Sequence, residues 1–152
     1  MADCCIFAGQ GAQVPGMGKD FAESDSMLMD LFDKANGVLG FDLKKICFEG
    51  PAEELTKSNV CQPAIFVTSY AAFLAFQKRS SVSFAAAAGL SLGEWGALCA
   101  AGVDLVNLLH HLKQPRPSRH AAGLERRRNR QADGFVCAGS IRHHQIGGQG
   151  IQ

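Results

Sequence analysis

Gly89, Ser91 and Gly93 stand at G-x-S-x-G spacing within Ala85-Ala86-Ala87-Ala88-Gly89-Leu90-Ser91-Leu92-Gly93-Glu94-Trp95. The stretch reads as a small-residue strand that breaks at Gly89, presents Ser91 and continues as a helix. Such a nucleophile elbow exposes a serine hydroxyl on a tight strand-to-helix turn. The turn is strained, and the glycines let the helix pass close to the strand. A helix N-terminus behind the serine offers amide groups and partial positive charge where an oxyanion would form. Gly-rich strand-to-helix turns also occur in many α/β proteins without such chemistry. Five residues alone therefore leave both readings open.

The elements that must position this stretch are legible on its N-terminal side. Cys4-Cys5-Ile6-Phe7-Ala8 is a short apolar run, read as a buried strand and closed by Gly9-Gln10-Gly11-Ala12-Gln13. Met27, Leu28, Leu31, Phe32 and Ala35 share one helical face, and Asn36-Gly37 reads as the stop signal. Gly50-Pro51-Ala52-Glu53-Glu54-Leu55 suits a short helix with proline and acids at its positive end. After Pro63, Ala64, Val67, Thr68, Ala71, Leu74 and Ala75 mark a helix with a small, mostly apolar face. Strands are expected near 4–8 and 83–88 in one mainly parallel sheet, with helices near 26–36, 63–78 and 92–101. The order indicates an α/β layer.

The 152 residues are 47% hydrophobic and 19% charged, globular values for one domain. No apolar run is read as reaching transmembrane length. The Met-Ala-Asp-Cys-Cys start lacks a basic n-region, so a cytoplasmic protein is expected. Six cysteines show no C-x-x-C spacing and are expected to be mostly buried free thiols. The net charge of +1 hides a break. Residues 1–104 carry 7 basic and 12 acidic side chains, whereas 105–152 carry 8 basic, 2 acidic and all five histidines. Beyond about Leu112 neither apolar period persists.

Three motifs in order carry a resemblance: Phe7-Ala8-Gly9-Gln10-Gly11-Ala12-Gln13, Gln62-Pro63-Ala64-Ile65, and Gly89-Leu90-Ser91-Leu92-Gly93-Glu94-Trp95. Residues 4–104 resemble the malonyl-CoA:acyl carrier protein transacylases, the acyltransferase domain family of fatty acid and polyketide synthesis. The resemblance implies an α/β-hydrolase-like acyltransferase core with a parallel sheet and nucleophile elbow. It implies a ping-pong transfer in which Ser91 is the catalytic nucleophile. The backbone N–H groups of Gln10 and Leu92 would form the oxyanion hole, and Gln62 would line the substrate site. Gln62 reads equally well as a turn residue before Pro63. Malonyl-CoA and phosphopantetheinylated carrier protein would be the substrates, with no resident cofactor. No membrane or specific nucleic-acid partner is expected.

Two departures temper the resemblance. Leu90 stands where the family usually has histidine. After Asp104 the family pattern is lost. Arg116 lies at a distance suited to the family's carboxylate clamp, but within Gln114-Pro115-Arg116-Pro117, where a helix interior is excluded. No histidine has the context of the family's general base. His110-His111 and His143-His144 are i,i+1 pairs that point apart on a helix, so no metal site is expected. The division expected is 1–104 as the N-terminal part of an acyltransferase domain and 105–152 as an aberrant basic tail, disordered or frame-shifted. The chain is thus expected to be a truncated form lacking the ferredoxin-like small subdomain, weakly active or inactive in malonyl transfer. An acyl-serine hydrolase or thioesterase, and a non-catalytic fragment that binds CoA or carrier protein, remain the alternatives.

Overall fold

The computed structural model of the protein describes residues 3–114 and 136–139. In chain order it comprises β1 (Asp3–Phe7), α1 (Lys19–Ser24), α2 (Ser26–Leu39), α3 (Leu43–Glu49), α4 (Ala52–Thr56), α5 (Ser58–Arg79), β2 (Phe84–Gly89), α6 (Gly93–Ala100), α7 (Leu105–Lys113) and β3 (Val136–Gly139). The sheet runs β1-β2-β3. β1 and β2 are parallel, with Cys4 beside Ala86 and Phe7 beside Gly89. The architecture is α/β, as the order of apolar periods implies.

β3 pairs antiparallel to β2, with Val136 beside Gly89 and Gly139 beside Ala86, so the sheet is mixed. A four-residue run is too short to display a period of two, which hid this strand in the sequence. The expected disorder of the rest of the tail, Arg116, His120, His143 and His144 lie outside the described residues.

Two helices run further than their sequence signals. α2 continues past Asn36-Gly37 because Leu39 is buried in the core, and it ends at Gly40, whose φ is 80°. The Gly40 amide donates back to the Asn36 carbonyl at 2.9 Å, a left-handed cap that glycine adopts without steric cost. α5 begins at Ser58 and holds Pro63 in its interior. The proline removes one helical hydrogen bond, to the carbonyl of exposed Asn59, while its own ring is buried in the core.

α5 is apolar round most of its circumference, the signature of a helix enclosed by neighbours. Its 22 residues contain an 18-residue window with a mean hydropathy of 1.3, so by length and composition it could cross a membrane, contrary to the sequence expectation. Yet 56% of that apolar window is buried inside the protein, as in a core helix. Val60, Ala64, Phe66 and Val67 of α5 join Phe32 of α2, Leu43 and Cys47 of α3 and Leu109 of α7 in the main core. α7 lies beyond the compositional break at Asp104. The Asp104 carboxylate caps it by accepting from the Asn107 amide at 3.0 Å, and Leu105, Leu108 and Leu109 are buried. Its Lys113 ammonium donates to the Val38 carbonyl at 2.7 Å, closing the last turn of α2.

Candidate functional site

β2 ends at Gly89, α6 starts at Gly93, and three residues turn the chain between them. Ser91 sits in that turn with φ at 57°, alone among the described non-glycine residues in having a positive φ. A serine held there is strained, and such strain persists only where the surroundings over-determine it. The surroundings are backbone. A Cβ on Gly89 would lie 2.1 Å from the Gly93 carbonyl carbon and oxygen. One on Gly93 would lie 2.4 Å from the Phe7 carbonyl oxygen of β1. Both glycines are thus required by close approach of strand, turn and helix.

Gly96 extends the same seam: a Cβ there would meet the Phe7 ring at 2.3 Å. Sequence reasoning passed over it, although a glycine inside a helical stretch is a recognisable signal of close packing. Phe7 in turn rests on Phe73 of α5, ring centroids 5.7 Å apart.

The turn at Ser91 and the loop after β1 meet at the same end of the sheet. A Cβ on Gly9 would stand 3.4 Å from the Leu90 carbonyl, so Gln10 follows directly on a contact with the serine turn. Leu92 caps α6 from its N-terminal side. The amides of Gly93, Glu94 and Trp95 bond to the carbonyls of Leu90, Ser91 and Leu92 at 3.0, 3.2 and 3.1 Å. The amides of Gln10 and Leu92 have no hydrogen-bond acceptor among the described residues. Ser91 and Gln10 are exposed, and Leu90 is 63% exposed beside them.

Gln62 lies half-buried in the first turns of α5, next to Cys61. Burial pushes the Cys61 thiol up, and the neighbouring Gly11 amide pulls the other way. The loop after β1 therefore reaches α5 at the residue adjoining Gln62. Ser91, Leu92 and Gln10 gather at one end of the sheet, and this contact brings Gln62 to the same loop.

No described side chain hydrogen-bonds the Ser91 hydroxyl. His110 and His111 are exposed on α7, and the His111 ring stands 6.3 Å from that of Trp95 rather than at the serine. Among the described residues no three histidine, cysteine or acidic side chains cluster as metal ligands would. The cysteines divide. Cys47, Cys61 and Cys99 are buried free thiols, Cys4 is exposed and Cys5 half-buried.

The acyl transferase domain family matches residues 4–106. The chain is 42% identical over 98 residues to the malonyl CoA-acyl carrier protein transacylase of Escherichia coli K12, covering 64% of this chain and 32% of that protein. It is 40% identical over 98 residues to a Bacillus subtilis protein of the same name, covering 64% of this chain and 24% of that one. Among solved structures, the malonyl CoA-acyl carrier protein transacylase of Clostridium perfringens superposes with a TM-score of 0.68 at 35% identity, over 74% of this chain and 36% of its own. A malonyl-transacylase solved in complex with its type II polyketide acyl-carrier protein gives 0.67 at 34% identity, over 74% and 37%. The chain spans about a quarter to a third of the length of these curated relatives, 24% and 32%. Matched over two-thirds of its length, with its glycines and serine set where strand, turn and helix meet, the chain belongs to the acyl transferase domain family.

Proposed function

We propose that the turn around Ser91 is a nucleophile elbow and that Ser91 takes an acyl group from a thioester, as the first half of malonyl transfer to carrier protein. The observation that carries this reading is the positive φ of Ser91, held between Gly89 and Gly93 in backbone contact. In the first half-reaction the serine oxygen attacks the thioester carbonyl of malonyl-CoA, the C–S bond breaks, and the serine proton leaves with the CoA thiol. The Gln10 and Leu92 amides, both without a described acceptor, would stabilise the oxyanion. Gln62 would contact the acyl group or its carrier from the start of α5. In the second half-reaction the phosphopantetheine thiol of the carrier protein attacks the serine ester, the ester C–O bond breaks, and the thiol proton passes to the Ser91 oxygen as the hydroxyl is regenerated.

No described base contacts the Ser91 hydroxyl, and a serine without one is a poor nucleophile near neutral pH. In serine hydrolases the oxyanion hole and binding alone still leave roughly 10³–10⁴-fold acceleration over water. With the described residues alone the site is therefore a slow acceptor and an ineffective transferase; a cytoplasmic setting beside the carrier protein it would serve is part of the same proposal. Incubation with malonyl-CoA, followed by intact-mass measurement, is expected to show slow formation of one malonyl ester that Ser91→Ala removes. Subsequent transfer to carrier protein is expected to stay near the uncatalysed rate in both forms. Rapid transfer abolished by Ser91→Ala would show that the chain supplies its own base. Release of free malonate would favour a hydrolase.

A further inference from the structure

The loop after β1 has little backbone bonding to hold it. From Gln10 to Gln13 no backbone amide donates to a backbone carbonyl at hydrogen-bond geometry among the described residues. Gln10 also lies between two glycines. Gly11 has a φ of 110°, a conformation open to glycine and costly to other residues. A Cβ there would meet nothing within 4 Å, so no packing fixes that residue. A peptide group flanked by glycines turns over readily, and a turned one points its N–H the wrong way. Its orientation has to come from elsewhere.

One side chain supplies it. The Gly11 amide donates to Oε1 of Gln13 at 3.0 Å, an ordinary length for such a bond. Gln13 is half-buried, whereas residues 10–12 and 14–16 around it are exposed. The buried Cys61 thiol lies against the same Gly11 amide from the α5 side. On the other side of Gln10, a Cβ on Gly9 would already be in contact with the Leu90 carbonyl. Gln10 is thus bracketed, by the serine turn before it and by the Gln13 side chain after it.

We propose that Gln13 is a positioning residue: by holding the Gly11 amide it aims the neighbouring Gln10 N–H at the carbonyl that reacts with Ser91. The inference rests on the reading of Ser91 as nucleophile. Gln13 makes no hydrogen bond to Ser91 and acts through the backbone alone. A donor for a developing oxyanion is effective when it is already aimed as the charge appears. Loss of aim therefore slows the chemical step and leaves the binding of malonyl-CoA unchanged. One exposed hydrogen bond sets the size, about threefold to tenfold in rate. That is well short of the roughly 10²–10³-fold cost of removing such a donor outright.

Two variants of the full chain test this. Gln13→Met keeps the side-chain length and removes the strong acceptor, while Gln13→Glu keeps an acceptor in place. By amide NMR, hydrogen exchange at Gly11 is expected to be about threefold or more faster in Gln13→Met and near the parent rate in Gln13→Glu. The Gln10 amide resonance is expected to broaden in Gln13→Met and stay sharp in Gln13→Glu, with circular dichroism and melting temperature unchanged. By intact mass, malonylation of Ser91 at saturating malonyl-CoA is expected to fall about threefold to tenfold in Gln13→Met, at the same half-saturating concentration. Gly11 exchange and a Gln10 resonance indifferent to Gln13→Met would overturn the proposal, however Ser91 behaves. So would a parent chain acylated at Ser91 whose saturating rate ignores Gln13→Met. A chain never acylated at Ser91, in which Gly11 and Gln10 both respond to Gln13→Met, would sink the nucleophile reading and leave the hold of Gln13 on Gln10 standing.

Discussion

A glycine tells different stories at different points of this seam. At Gly89 the obstacle to a methyl group is the backbone of Gly93, 2.1 Å away, which cannot rotate aside. At Gly96 it is the Phe7 ring at 2.3 Å, which has some freedom to tilt against Phe73. Gly89→Ala is therefore expected to destabilise by about 3 kcal/mol or more, and Gly96→Ala by about 1–2 kcal/mol, the range of overpacking costs. Urea denaturation of the two variants checks both the sign and the order. Equal losses would mean that the turn can shift as a body and that its geometry is not fixed by contact. Gly89→Ala would also abolish any Ser91 acylation, since the strained φ depends on that contact.

At the scale of elements, α2 offers the opposite experiment. Gly37 lies in the helix interior, is exposed, and has open space where a Cβ would go. Replacing an unobstructed helical glycine by alanine removes backbone freedom from the unfolded chain. Gly37→Ala is expected to raise stability by about 0.5–1 kcal/mol, read as a higher urea midpoint with an unchanged slope. The same glycine shows why the end of α2 was not legible locally. Asn36-Gly37 is a good stop signal, but Leu39 gains more by burial than the helix loses at Gly37. Pro63 misled in the same way at α5, because the core packs around its ring. Where a signal is purely local, as with the 3.6-residue period of Leu28, Phe32 and Ala35 or the glycines at 89 and 93, the sequence suffices. The burial of Leu39, the Lys113 cap on Val38 and the pairing of β3 with β2 each join segments remote in the chain. No window of residues carries them.

For the whole molecule, the buried thiols set an alkaline limit. Burial pushes Cys47 and Cys99 from 9.0 up to about 12, and Tyr70 from 10.0 up to about 12. Below pH 9 these groups are neutral in both the folded and the unfolded chain and have no effect on the balance. Between 9 and about 12 the unfolded chain ionises first, so stability falls as pH rises through that window. At about one pH unit above 9 the loss is about 1 kcal/mol per thiol. Urea midpoints at pH 8 and pH 10 should differ accordingly, and Cys99→Ala should reduce the difference. A midpoint flat across this window would mean that water reaches the thiols. The seam at Ser91 has a further consequence, in time rather than in energy. The partners that hold it, Phe7 on β1 and Gly93 on α6, are separated by the whole helical layer. β1 must pair with β2, setting Phe7 beside Gly89, before Gly93 has the Phe7 carbonyl to rest against. Such long-range parallel pairing is slow because loop closure precedes any gain in contact. The strained serine is thus a late product of folding, and its reactivity toward a serine-directed probe should appear with the slowest refolding phase, after the helical signal has returned.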